Sequence, residues 1–146
     1  TYNITQSSFN NTPGDANNWE EVRKHRVVKV IRDNAPDILC LQEDEPDQGE
    51  FVCTELGLVK RGVSKRTGTV DGTGEFNAIY YDPERFVVEE TGHFFFSDTP
   101  DTPSKSWDAG YVTHCNWFRV REASEGMVFY VFNMHLVYTG EVAREM

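Results

Sequence analysis

The stretch Asp37-Ile38-Leu39-Cys40-Leu41-Gln42-Glu43 decides the fold class of this chain. Five mostly apolar residues follow Pro36-Asp37 and end abruptly in Gln42 and Glu43, with two further acidic residues beyond. A short apolar run with such boundaries predicts a buried strand, in a sheet covered on both faces. Open α/β sheets place their ligand sites at the carboxyl ends of strands, so Glu43 is a candidate metal ligand or acid/base group. The alternative is that Glu43 begins a solvated acidic loop.

The residues before this stretch predict a strand, a loop and a helix. Residues 1–4 read as a strand end, and residues 6–18 form a loop rich in Ser, Asn, Gly and Pro. Two sequons, at 3–5 and 10–12, lie here, although this pattern is common by chance. A helix over 19–34 follows, with Asn17 or Asn18 as its N-cap. Strand, helix and strand in succession favour an α/β layered fold. Helical spacing predicts an apolar face of Trp19, Val22, Val27, Val30 and Ile31, and a water-facing set of Arg23, Lys24, Lys29 and Arg32.

The rest of the chain is mainly β in character. The pattern predicts a short helix at 51–58 that ends at Gly57, then a loop at 62–74. The predicted strands cover 76–81 and 86–89, continued at 94–96, followed by a proline-containing loop at 97–110. A hairpin of 114–120 with 127–134 comes next, and 140–146 begins what looks like a helix.

Size, charge and cysteine content set limits on function. The chain has 146 residues, a mass of 16.8 kDa and 38% hydrophobic residues, as expected for one domain with a packed core. No apolar run approaches the roughly 18 residues that span a bilayer. The net charge of −10 disfavours capture of long duplex nucleic acid and favours a small phosphoester, although bound cations can invert the local field. Three cysteines without metal spacing predict buried free thiols and a reducing, cytoplasmic setting, with secretion not excluded.

Polar residues follow three of the predicted strands. They are Asn3, Gln42-Glu43, and Asn133 with His135. If these strands are neighbours, a carboxylate and an amide oxygen would suit Mg²⁺, and the histidine could donate to a phosphate oxygen. That combination predicts metal-assisted phosphoester hydrolysis. The alternatives are an asparagine that forms a turn and a histidine with a structural role.

Several segments, taken in order, resemble the endonuclease/exonuclease/phosphatase superfamily. They are Thr1-Tyr2-Asn3-Ile4, Trp19 with Arg23, Pro36-Asp37-Ile38 through Leu41-Gln42-Glu43, Gly74-Glu75-Phe76-Asn77-Ala78-Ile79-Tyr80-Tyr81, Ser104-Lys105-Ser106-Trp107-Asp108-Ala109 and Asn133-Met134-His135-Leu136. The resemblance implies a four-layer α/β sandwich of two mixed sheets flanked by helices. It also implies phosphoester cleavage that depends on Mg²⁺ or Mn²⁺, by a phosphodiesterase or a phosphatase.

The resemblance assigns roles to individual residues. Glu43 matches the family's metal-binding glutamate, and Asn3 matches the asparagine beside the metal. His135 matches the histidine that contacts the scissile phosphate. Trp107 is a candidate substrate contact from its proline-bounded loop, with packing against that loop as the alternative.

The sequence departs from the family pattern in three ways. The G-D-x-N and S-D-H motifs of the family's second half are absent from the 146 residues. Val137 stands where an acidic residue often follows the family's N-T-H-L segment, and Thr113 where an arginine is common. We therefore expect residues 1–146 to be the N-terminal part of a single domain of a longer enzyme. A second hypothesis is that two copies of the chain associate to complete the sandwich; a monomer in size-exclusion chromatography with light scattering would count against it. A third hypothesis is a non-catalytic binding or regulatory domain.

Overall fold

A computed structural model describes residues 1–9 and 11–146, so Asn10, in the second sequon, lies outside the described residues. These residues form two α-helices and seven strands, numbered in chain order. Neither helix is long and apolar enough to cross a membrane, and no other helix of the described part is. The elements are β1 (Tyr2–Asn3), α1 (Lys24–Asn34), β2 (Ile38–Gln42), α2 (Pro46–Leu56), β3 (Val59–Arg61), β4 (Ile79–Tyr81), β5 (Phe86–Phe95), β6 (His114–Glu122) and β7 (Val128–Met134).

The first sheet has the strand order β1-β2-β4-β3 and contains the predicted β2 strand. β1 and β2 are parallel, with Asn3 opposite Gln42, and this confirms the strand–helix–strand opening. The other neighbours are antiparallel. The sequence pattern missed β3 because three residues are too few to show an alternation. β4 begins later than predicted, because Phe76 pairs in separate bridges with Asp44 and Ser64.

The helix predicted over 19–34 is present, but its first turn is wider than an α-helical turn. Trp19–Arg23 form a π-helical turn, and the side chain of Asn18 accepts the N–H of Glu21 at 2.9 Å as the N-cap. This wide turn shifts the phase of the buried face relative to a spacing of 3.6 residues. Consequently Val28 is buried, whereas Val30, predicted to face the core, is 45% exposed.

α2 begins five residues earlier than its apolar pattern predicted. Glu45 and Gln48 form a reciprocal capping box, and Pro46 occupies the first turn, where its missing N–H costs nothing. The polar first turn hid this start from a hydrophobic pattern that begins at Phe51. The predicted end is confirmed, since Gly57 adopts a left-handed conformation with φ of 68°.

The second sheet is the antiparallel meander β5-β6-β7. The predicted hairpin is confirmed as β6 and β7, and the predicted strands at 86–89 and 94–96 are one strand with a bulge between Val88 and Glu90. We expected two mixed sheets, but over the described residues only the first sheet is mixed. The helix expected from 140 onwards is a single 3₁₀ turn, Val142–Arg144.

The two sheets pack face to face, with the helices on the outside of the first sheet. One core cluster joins the helices to the first sheet, and a second cluster fills the space between the sheets. The described residues therefore supply three layers of an α/β sandwich. The outer face of the second sheet carries stacked aromatic rings at Tyr130 and Phe132, which are 53% and 52% exposed.

A buried amide pair connects the sheets behind the predicted site. Asn133 of β7 donates to the carbonyl oxygens of Leu41 and Ala78, each at 2.8 Å, and its own oxygen accepts from Gln42 at 2.6 Å. Buried amides of this kind are costly unless hydrogen bonded, so these bonds fix how β7 docks on the first sheet.

The three cysteines are free thiols, as predicted. Only Cys115 is fully buried, and burial raises its pKa to about 11. Cys40 and Cys53 are half-buried, and burial raises their pKa as well. Raised pKa values keep the thiols protonated, which suits packing and disfavours nucleophilic chemistry.

Candidate functional site

The three predicted polar strand ends meet at one edge of the molecule. The parallel register of β1 and β2 places Asn3 next to Gln42, and its side-chain amide donates to Glu43 Oε1 at 2.9 Å. His135 follows β7 directly, and its Nδ1 lies 4.0 Å from the same oxygen. The structure therefore brings Asn3, Glu43 and His135 together, although residues far apart in sequence supply them.

Glu43 adopts a backbone conformation that is unusual for a residue with a side chain. Its φ of 59° lies in the left-handed region, which costs roughly 1–2 kcal/mol for an L-residue. Asn3 bridges the turn, since its Oδ1 accepts the N–H of Thr5 at 2.9 Å while its amide nitrogen holds Glu43. Strained residues of this type cluster at functional sites, so the strain agrees with a functional role for Glu43.

The residue after Glu43 excludes the solvated acidic loop as an interpretation. Asp44 is fully buried, where it accepts from the Tyr80 hydroxyl at 2.5 Å and from Lys60 Nζ at 2.8 Å. Burial raises the pKa of Asp44, and the charge of Lys60 opposes that rise. The contacts of Asp44 with Tyr80 and Lys60 fix the backbone directly beside Glu43 and so stabilise the turn that carries it.

Glu43 and His135 open onto a cleft of about 340 Å³. The same cleft contains a second carboxylate, Glu75, whose Oε1 accepts from Lys65 Nζ at 2.6 Å and from Gln6 Nε2 at 2.5 Å. Two tyrosine rings, 6.0 Å apart, also belong to it. Its lining residues are Gln6, Phe9, Glu43, Lys65, Glu75, Asn77, Tyr111, Val112, Thr113, His135 and Tyr138.

Sequence reasoning missed Glu75 and Lys65 because it searched only the carboxyl ends of strands. Glu75 precedes β4, and Lys65 lies in the loop before it. The available signal was Gly74-Glu75-Phe76-Asn77, a polar stretch that leads into an apolar strand after a glycine-rich loop. Trp107, the predicted substrate contact, is 42% exposed and is not among the residues that line the cleft.

The side chain of Arg23 approaches this site, although helical spacing predicted that it faces water. Its Nη2 donates to the carbonyl oxygen of Gln6 at 3.0 Å, and its guanidinium lies 5.6 Å from the centre of the Trp19 ring. Burial lowers the pKa of Arg23, while the charges of Tyr2 and Glu43 oppose this. The π-helical turn explains the difference, because it rotates Arg23 towards the loop over the site.

His114 lies behind the cleft as a structural histidine. It is fully buried, stacks on Phe95 and has Nε2 within 3.0 Å of the carbonyl oxygen of Val63. Burial lowers its pKa to about 4, so the ring is neutral at pH 7. Next to it, Thr113 lines the cleft but is only 5% exposed, so the position that resembles the family's arginine offers a short neutral side chain.

The donor set fits a divalent cation that keeps most of its own water. Glu43 Oε2 has no hydrogen-bond partner among the described residues, and Glu43 lines the cleft. The amide oxygen of Asn3 accepts one hydrogen bond, from the N–H of Thr5, and its amide nitrogen positions Glu43. Within residues 1–9 and 11–146, no group of three or more His, Cys, Asp or Glu side chains is placed to hold a metal. Mg²⁺ needs only one or two carboxylates and suits such a site better than zinc.

Comparisons with known proteins bear on the fold and on the family. No protein-family model matches the sequence. An uncharacterized protein of Acanthamoeba polyphaga mimivirus is 33% identical over 95 residues, which is 58% of this chain and 14% of that protein. Solved structures give longer matches. An endonuclease/exonuclease/phosphatase of Bacteroides vulgatus is 28% identical with a TM-score of 0.86, over 97% of this chain and 53% of that one.

A mannosyl-6-phosphatase of Bacteroides thetaiotaomicron is similar to the same extent. It is 30% identical with a TM-score of 0.86, over 98% of this chain and 52% of that one. Human nocturnin, at 19% identity and a TM-score of 0.64, shares the fold alone. The chain thus spans about half the length of these solved relatives, and nearly all of it matches them.

Proposed function

Because the chain resembles the endonuclease/exonuclease/phosphatase superfamily in fold and sequence over nearly its whole length, we propose that it forms part of a phosphoester hydrolase that uses water as the nucleophile. The similar solved structures include a mannosyl-6-phosphatase at 30% identity. The proposal names particular residues because Glu43 and His135 line one cleft and Asn3 holds the Glu43 carboxylate. Both a phosphodiesterase and a phosphatase agree with this arrangement.

Each of the three residues has a role that its contacts support. Glu43 would hold Mg²⁺ or Mn²⁺ through the carboxylate oxygen that Asn3 leaves free. Asn3 fixes the carboxylate and the turn around it, and His135 donates to the phosphate as negative charge develops on it. When bound, such a cation supplies Lewis acidity towards the phosphate.

The cleft and the net charge favour a small phosphoester over a long duplex. A volume of about 340 Å³ lies at the lower end of the range for small-molecule pockets. A net charge of −10 repels a polyphosphate backbone beyond the immediate surroundings of a bound cation.

The test is the substitution Glu43→Gln, which removes the charge and keeps the acceptor for the Asn3 amide. We expect the affinity for Mn²⁺, measured by water-proton relaxation, to fall at least about tenfold, because a carboxylate binds hard cations far better than an amide does. Hydrolysis of p-nitrophenyl phosphate and bis(p-nitrophenyl) phosphate by the full-length protein should be lost in the same variant. The urea midpoint should stay within error, since the hydrogen bond survives.

The matched control is Glu90→Gln, an exposed glutamate on β5. It removes the same charge and should leave Mn²⁺ affinity and hydrolysis unchanged. Equal Mn²⁺ affinity in wild type and Glu43→Gln would contradict the assignment of Glu43.

A non-catalytic binding domain is the second candidate function. Val137, which stands where the family often has an acidic residue, is 8% exposed, and Thr113 supplies no charge to the cleft. A protein that binds phosphoesters in this cleft without hydrolysing them, with or without Mn²⁺, would support this reading.

A further inference from the structure

One cation lies inside the cleft that contains Glu43 and His135. Among the described residues that line it, Lys65 is the only lysine or arginine. Its side chain is 25% exposed, and its Nζ lies 2.6 Å from Glu75 Oε1 and 5.4 Å from the centre of the Tyr111 ring. The ammonium is therefore held at one place within the cleft.

The loop that carries Lys65 is fixed by its own hydrogen bonds. The backbone N–H of Lys65 donates to the carbonyl oxygen of Glu75 at 3.0 Å. The preceding residue, Ser64, is fully buried, and its hydroxyl donates to the carbonyl oxygen of Thr73 at 2.6 Å. Pre-organised groups of this kind bind ligands with a smaller entropy cost.

The contacts of Lys65 leave most of its donor capacity unused. An ammonium group has three N–H donors, and Glu75 accepts one of them. No other hydrogen bond from Nζ forms within the described part of the chain. A partly exposed ion pair contributes little to stability, so the pair with Glu75 gives little structural reason for a lysine here.

We propose that Lys65 binds a non-bridging oxygen of the substrate phosphate and thereby selects phosphomonoesters over phosphodiesters; this inference rests on the proposed function. A monoester has three non-bridging oxygens and a charge of about −1.5 to −2 at pH 7. The cleft presents three groups suited to them: His135, Lys65, and the cation that Glu43 would hold. A diester has only two such oxygens and a single charge, so one of the three groups is left without a partner.

The experiment compares Lys65→Met with wild type on p-nitrophenyl phosphate and bis(p-nitrophenyl) phosphate. We expect kcat/KM for the monoester to fall on the order of 10- to 100-fold, the effect of losing one hydrogen bond to a charged group. For the diester we expect a fall of less than about threefold, and Lys65→Arg should keep most of the preference for the monoester. The control is Lys29→Met, which removes an equally paired lysine from the surface of α1 and should change neither substrate.

A second measurement separates failure of this inference from failure of the proposed function. Calorimetric titration with inorganic phosphate in the presence of Mn²⁺ should give a Kd at least about tenfold weaker for Lys65→Met than for wild type, whether or not the protein hydrolyses esters. Equal falls of kcat/KM for both esters would overturn the selection of monoesters. An unchanged phosphate affinity, or no binding to wild type, would overturn the contact itself.

Discussion

Replacing Asn133 should destabilise the protein more than the loss of one small side chain suggests. The side chain is 3% exposed and makes three hydrogen bonds, to Leu41, Ala78 and Gln42. At about 1 kcal/mol for each bond, Asn133→Ala should lower the free energy of unfolding by about 3 kcal/mol. Two of the three partners keep another hydrogen bond: the carbonyl oxygen of Ala78 still accepts the N–H of Leu41 at 3.0 Å, and the amide of Gln42 still donates to Thr1 Oγ1 at 2.8 Å.

The assay is urea unfolding at pH 7, followed by circular dichroism. Asn133→Leu separates hydrogen bonding from a cavity, because leucine fills a similar volume and makes none of the bonds, and we expect a loss of about 2–3 kcal/mol for it. Asn34→Ala is the control, since Asn34 is exposed on the last turn of α1 and makes one bond, to Val30. This control should stay within about 0.5 kcal/mol of wild type.

The result that would refute the reasoning is an Asn133→Leu variant within about 1 kcal/mol of wild type. A double-mutant cycle with Gln42→Ala gives a further check. The two amides are bonded directly at 2.6 Å, so the cycle should show a coupling of about 1 kcal/mol. Additive effects would mean that the bond contributes nothing to the docking of the sheets.

Two other predictions concern β5 and β6. His114 has a pKa of about 4 in the folded protein and about 6.5 when unfolded, so only the unfolded chain takes up a proton between these values. The contribution of His114 to the free energy of unfolding should therefore be complete above pH 6.5, and about 3 kcal/mol of it should be lost as the pH drops towards 4. In urea unfolding across this range, the free energy of unfolding of His114→Gln should depend less on pH than that of wild type. Gly92→Ala would place a Cβ 2.4 Å from the Trp117 ring, so we expect a loss of about 1–3 kcal/mol and a changed tryptophan emission spectrum, with neighbouring Thr91→Ala as the control. An unchanged spectrum and stability in Gly92→Ala would show that the indole moves aside freely.

The sequence predicted those parts of the fold whose residues follow one simple period. Residues 38–41 are apolar and the run is bounded on both sides, and the predicted strand became β2, Ile38–Gln42. Elements that begin with polar residues were misplaced, as α2 was, because capping geometry and not hydrophobicity defines their start. The π-helical turn at Trp19–Arg23 explains the wrong placement of Val30 and Arg23, and no spacing rule predicts such a turn.

Some residues of the candidate site could also be predicted from the sequence, and others could not. Glu43 and His135 could be predicted because each follows an apolar strand, and ends of neighbouring strands meet at one edge. Glu75 and Lys65 could not be predicted, because they lie in a long loop and no local sequence pattern indicates where that loop runs across the molecule. The positioning contact of Asn3 was also hidden, since it depends on which atom of the amide faces Glu43.

The hydrogen bond between Gln42 and Asn133 joins residues 91 positions apart, and this separation has a kinetic meaning. Contacts between distant parts of a chain form late in folding, because loop closure must be offset before they contribute. A partly folded molecule that contains β1, β2 and the helices but has not docked β7 would have Glu43 without His135. Any ligand that needs both residues then recognises only the completed fold and raises its population by mass action, according to its concentration relative to Kd.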